Sequence, residues 1–202
     1  MHAWVVVEAE HRALFPAALA RAWKGGGAAR AARLALPARR GQRELLFVWP
    51  DPPAPPLVRP PRWPDVLSDW HDIYGDPLFP DDALPVLAEA LSALGAEALA
   101  LHADHGLAGA TVAWYEKGAL ALYEHVGSAT VSWTEADGLG RPPDGTLRSA
   151  AAGFVLDRIA LQNKANGEAL LDRALHRILA HDPPPFEELA GMVVTAPCEM
   201  VG

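Results

Sequence analysis

The chain of 202 residues reads as an α+β fold: an antiparallel β-meander over about residues 97–134, backed by helices and joined to an N-terminal strand–helix–strand unit. Three observations predict this. Residues 97–134 alternate apolar and polar side chains between short glycine turns. Leucine- and alanine-rich stripes at helical spacing recur along the chain. Two short apolar runs, HAWVVV at residues 2–7 and RELLFVW at 43–49, have strand character. Half of the residues are hydrophobic, so a sizeable core is available. The length suits one domain, residues 1–202.

The elements follow in order. His2–Val7 is a strand. A helix spans about Arg12–Trp23, with Phe15, Leu19 and Trp23 on one face, and Gly25-Gly26-Gly27 ends it. Arg43–Trp49 is the next strand, completing a unit over residues 1–49; a parallel arrangement would make its crossover right-handed. Residues 50–64 hold eight of the 19 prolines. They read as a stiff polyproline connector packed on the surface. Residues 65–82 carry six aspartates with Trp70, Tyr74 and Phe79, an ordered irregular loop. Asp82 caps a helix from Ala83 to Gly95 with Leu84, Leu87, Leu91 and Leu94 as its stripe.

The meander's register is set by its turns. Glu116-Lys117-Gly118 reads as a three-residue loop, Gly127-Ser128 as a two-residue loop. Leu99, Leu101, Val112, Trp114, Leu120, Leu122, Val131 and Trp133 then share an apolar face. His102, Asp104, Thr111, Tyr115, Tyr123, His125, Thr130 and Ser132 share the other, with Asp104 opposite Gly109 and Gly109 opposite His125. Two helices follow, Thr146–Gln162 and Glu168–His181, separated by a break at Asn166-Gly167. Met192–Thr195 reads as a short last strand.

Net charge is −8, unevenly spread. Residues 1–64 hold 10 basic against 4 acidic residues, net +6; residues 65–202 hold 7 against 21, net −14. An acidic chain is a poor match for phosphate backbones, so nucleic acid is not an expected partner. The basic cluster Arg21, Lys24, Arg30, Arg33, Arg39, Arg40 and Arg43 reads as a solvated loop lying against the acidic remainder. A single cysteine, Cys198, excludes an internal disulfide framework and a thiolate zinc cluster. No signal peptide or membrane span is read, which places the chain in the cytoplasm. High arginine and alanine usage points to a bacterial source.

Two constellations stand out. His102, Asp104 and His125, with Thr111 and Tyr123, share the polar sheet face. Imidazole plus carboxylate suits a general acid–base pair or zinc, but two strands separate Asp104 from His125, about 10 Å at the backbone. A ligand or partner face is the better use of these residues, and no metal or cofactor is expected. The second constellation is Trp63, Asp69, Trp70, Asp72 and Tyr74, aromatic anchors beside acids, a contact surface for a basic partner. No Gly-x-Ser-x-Gly elbow is present. The three adjacent glycines follow a helix and lead to no Gly-Lys-Ser/Thr, so they are not a phosphate loop. The expected function is therefore non-catalytic: a protein-binding protein of the immunity or regulatory kind, with an acidic and aromatic contact surface. The alternative is a hydrolase or small-molecule-binding domain built on the polar sheet face.

Overall fold

The computed structural model describes residues 2–38, 41–51, 55–61, 82–103, 110–126, 130–133, 155–157, 163–179 and 184–202. In chain order the elements are β1 (His2–Glu8), a 3₁₀ segment (Ala9–Leu14), α1 (Phe15–Ala22), β2 (Ala29–Pro37), β3 (Gln42–Pro50), α2 (Ala83–Ser92), β4 (Ala98–Ala103), β5 (Ala110–Glu116), β6 (Ala119–Val126), β7 (Thr130–Trp133), β8 (Val155–Asp157), α3 (Asn163–Leu179), α4 (Phe186–Thr195) and β9 (Cys198–Val201). All the strands join one antiparallel sheet in the order β8-β7-β6-β5-β4-β1-β3-β2-β9. The α+β expectation holds. The strands at 2–8 and 42–50 extend the meander's own sheet, because β1 lies between β3 and β4.

Each sheet face carries its own core. On one, α1 and α2 pack Phe15, Leu19, Trp23, Leu84, Leu87 and Leu91 over Val5, Val7, Leu46, Val48, Ala100, Ala113, Tyr115 and Tyr123. On the other, α3 and α4 pack Leu171, Leu175, Phe186, Leu189 and Val193 over Trp4, Val6, Phe47, Leu99, Leu101, Val112, Trp114 and Leu122. This explains why HAWVVV is almost continuously apolar: a central strand covered on both sides has no polar face to show. Trp4 meets Phe47 edge-on at 5.7 Å and Phe186 at 5.8 Å.

Several expectations are corrected. Residues 29–37, read as a basic loop, are strand β2, and β1 and β3 are antiparallel neighbours rather than a parallel pair. The arginines of β2 alternate outward while Ala29, Ala31, Leu34 and Leu36 are buried, a strand of low β-propensity held by tertiary packing. The Arg43 side of the cluster is likewise in strand β3. Val155–Asp157 is strand, not helix. Helix α3 runs through Asn166-Gly167 without a break. Met192–Thr195 ends helix α4, and the last strand is Cys198–Val201. Asp82 stands at the N-cap of α2 but makes no capping hydrogen bond.

The β5–β6 turn is tighter than read. Lys117 and Gly118 both have positive φ, 51° and 76°, and Glu116 pairs with Ala119. That is the backbone of a two-residue primed turn. The register then shifts: Tyr115 faces Leu120 while Trp114 faces Leu122, leaving Ala121 as the extra residue of a bulge. Leu120 consequently joins the α1–α2 core, not the face of Trp114. On β7 the slip is one residue: His125 pairs with Val131 and Tyr123 with Trp133, so Thr130 and Ser132 take the opposite register positions.

Strand β9 is lightly held. It pairs only with β2, through Ala29–Ala32, and among its four side chains only that of Val201 is buried. Ala196 and Pro197 alone join helix α4, on one face of the sheet, to β9 at its edge.

Candidate functional site

The residues singled out on the polar sheet face are brought together, but under a roof. His102 pairs with Thr111, and Thr111 with His125, so the three occupy one row across β4, β5 and β6. His125 thus stands opposite Thr111, not Gly109. His102 is 4 % exposed and Thr111 1 %. The next rows hold Tyr123 opposite Ala113, and Tyr115 opposite Leu120. Both tyrosines are buried beneath α1 and α2. At His102, Thr111, Tyr115 and Tyr123 the polar face is therefore core, not open surface. Asp104 lies outside the described residues.

Helix α2 supplies the other half of this buried constellation. All ten of its residues are buried, including Glu89 and Ser92. The Glu89 carboxylate, 2 % exposed, is met by the Arg59 guanidinium arriving from the proline-rich segment. Ser92 Oγ donates to the Glu89 carbonyl at 3.0 Å and accepts from Gly118 N–H at 2.9 Å, tying the helix end to the hairpin tip. Burial pushes the Tyr115 hydroxyl well above the usual phenol pKa, with Glu89 and Asp82 adding repulsion for the phenolate. Burial does the same for Tyr123, with Tyr115 and Asp82 adding. Both phenols are neutral hydrogen-bond donors at ordinary pH. Tyr115 Oη has no hydrogen-bond partner among the described residues. Such an atom costs about 1–3 kcal/mol when left dry.

Among the described residues no group of three or more His, Cys, Asp or Glu side chains is placed to hold a metal ion. The second constellation, Trp63, Asp69, Trp70, Asp72 and Tyr74, lies wholly outside the described residues.

Three arginines of the basic cluster are paired internally. Arg30 meets Asp51 at 2.6 Å, Arg33 reaches Glu44 at 3.4 Å and Glu199 at 3.3 Å, and Arg43 pairs with Glu8. Glu199, the partner of Arg33, comes from the acidic part of the chain, as does Glu89, the partner of Arg59 outside the cluster. The proline-rich connector is packed as expected where it is described. Lys24 N–H donates to the Pro56 carbonyl at 2.7 Å, Val58 N–H to the Ala22 carbonyl at 2.8 Å, and Leu57 bridges to Trp23.

One site escaped the sequence reading. His2, Trp4, Trp49, Val193, Val194, Ala196 and Cys198 line an open cleft of about 330 Å³ beside α4. Val194 is 70 % exposed, and Met200, two residues beyond Cys198, is 50 % exposed. The sequence signal was weak: His2, Trp4 and Trp49 lie at strand ends nearly fifty residues apart, and only the β1–β3 pairing juxtaposes them.

A scan of protein-family models, a search of curated proteins and a search of solved structures each return no match. None of the helices in the described residues is long and apolar enough to cross a membrane.

Proposed function

We propose that this chain is a non-catalytic protein-binding protein of the cytoplasm. The observation that carries this reading is the exposed Val194 on the wall of a tryptophan-lined cleft, with Met200 exposed on β9, whose Cys198 also lines it. Exposed apolar side chains beside aromatic walls are the usual anchors of a contact surface. The burial of His102 supports the same reading, because a hydrolase built on His102, Asp104 and His125 would need that imidazole open to substrate. The net charge of −8 favours a basic partner, as an immunity or regulatory protein masking a basic target would have. Residues 63–76, with Trp63, Asp69, Trp70, Asp72 and Tyr74, are proposed as a second part of the surface.

The test is capture of a partner from the source cell's extract by the purified chain, in parallel with Val194→Asp/Met200→Asp and Asp69→Lys/Asp72→Lys variants. The expected result is a partner lost with the first variant, and bound more slowly by the second and at higher salt. A partner captured equally by all three chains refutes the reading.

A second reading, a small-molecule-binding domain on the polar sheet face, is supported by the Tyr115 hydroxyl alone, which is buried beside Glu89 with no described partner.

A further inference from the structure

We propose that β9 is exchanged between two copies of this chain, each placing its Cys198–Val201 strand on the β2 edge of the other. This inference is independent of the partner-binding reading. Four observations lead to it. First, β9 touches the sheet through one neighbour and buries one side chain, Val201. Local opening is drawn from segments with few buried apolar contacts. Second, what else holds β9 lies at the surface. Glu199 receives Arg12 Nε at 3.2 Å and Arg33 Nη2 at 3.3 Å, and Arg12 also donates to the Met200 carbonyl at 3.2 Å. Both arginines are nearly half exposed, so salt screens these pairs.

Third, the hinge is short and stiff. Ala196 and Pro197 alone join α4, anchored by Phe186, Leu189 and Val193, to β9 at the sheet edge. Ala196 is extended, with φ −66° and ψ 150°, as a residue before proline must be. Short hinge loops that must turn tightly favour the open, exchanged form.

Fourth, the slot is selective for the strand already in it. It presents Arg12 and Arg33 to a carboxylate and a buried apolar site to Val201. It then closes on Gly202, where a Cβ would lie 2.6 Å from the Gly27 carbonyl oxygen. A carboxylate, then an apolar residue two positions on, then a glycine is what β9 and the residue after it offer. The occupant whose fit is established is therefore a second copy of the same strand. Exchange remakes every one of these contacts in trans, so the dimer population follows protein concentration.

The natural Cys198, the chain's single cysteine, reads out the exchange. Ala32 is its register partner across the β2–β9 pair. In an Ala32→Cys variant, mild oxidation bridges position 32 to Cys198 within one chain when β9 is closed, and between two chains when it is exchanged. The expected result is a disulfide-linked dimer whose mapped bridge joins position 32 to Cys198. Its ratio to linked monomer rises in proportion to the free monomer concentration, and high salt speeds its appearance. A bridge confined to monomer at every concentration, or a dimer joined only through Cys198 to Cys198, overturns the proposal. The chain with its own Ala32 gives a second measurement by sedimentation. Insertion of Gly-Gly-Ser between Ala196 and Pro197 relaxes the hinge and is expected to lower the dimer fraction. An unchanged fraction, or no dimer at any concentration, overturns it equally.

Discussion

The two faces of the central sheet are built from opposite materials. Under α3 and α4 the sheet presents Trp4, Val6, Phe47, Leu99, Leu101, Val112 and Trp114, an apolar surface packed by leucines and a phenylalanine. Under α1 and α2 it presents Val5, Val7, Leu46, Val48 and alanines, with His102, Thr111, Tyr115 and Tyr123 among them and Glu89 coming down from above. Both are buried to the same degree. Alternation of polar and apolar residues along a strand therefore separated two interiors here, not an interior from water. The first face is held by shape and area. The second depends on where each hydroxyl, imidazole and carboxylate finds its partner, because a buried polar group left unsatisfied costs as much as a lost methylene cluster.

The largest effect that would sharpen this contrast is on the apolar face. Trp114→Ala removes a side chain 2 % exposed and should cost about 3–5 kcal/mol in denaturant-measured stability. A loss below about 1 kcal/mol would mean that this face is packed loosely. On the polar face, Arg59→Met withdraws the cation from the buried Glu89 carboxylate. Because Arg59 is 44 % exposed the pair is partly screened, and a loss of about 1–3 kcal/mol is expected. Stability unchanged by this substitution would show that Glu89 is satisfied from elsewhere.

Tyr115→Phe inverts the usual sign for a core truncation. Deleting a hydroxyl with no described partner should leave stability unchanged or raise it by up to about 1 kcal/mol. A clear loss would reveal a partner for that hydroxyl, a bound ligand or a buried water. The smallest effect concerns pH. Burial raises the folded-state pKa of Tyr115 and Tyr123 above that of the unfolded chain. Their contribution is fully present below about pH 10 and is lost as the pH climbs above it, because the unfolded chain then sheds protons that the folded chain keeps. Denaturation midpoints should fall above about pH 10, and the Tyr115→Phe/Tyr123→Phe pair should flatten that fall. An unaltered slope would place the alkaline loss in other groups.

The meander was legible because its turn chemistry is local. Lys117-Gly118 fixes a hairpin over a few residues, and with the extra residue at Ala121 it sets Trp114 and Tyr123 on opposite faces. Leu120 was misplaced because nothing at Ala121 announces a bulge. Strand β2 was hidden for a different reason. Its sequence, ARAARLALP, is rich in alanine and arginine, and its strand state comes from β3 and the overlying helix rather than from propensity. Val193, Val194 and Thr195 misled in the other direction, being β-branched residues that finish a helix. The polar face at His102, Thr111 and His125 was found, but the burial of His102 and Thr111 was not, because it depends on elements brought over them from elsewhere in the chain.

The central placement of β1 also sets an order of assembly. Val6 pairs with Phe47 on one side and with Leu99 on the other. During synthesis at roughly 5–20 residues per second, about ninety further residues must appear before the second edge is filled, a wait of several seconds. The hairpin of β5 and β6 closes within about ten microseconds once made. The most apolar strand of the molecule thus waits with one edge open while those residues are made. Newborn chains are therefore most vulnerable to mispairing through the AWVVV run, and a chaperone acting on this protein has its clearest target there.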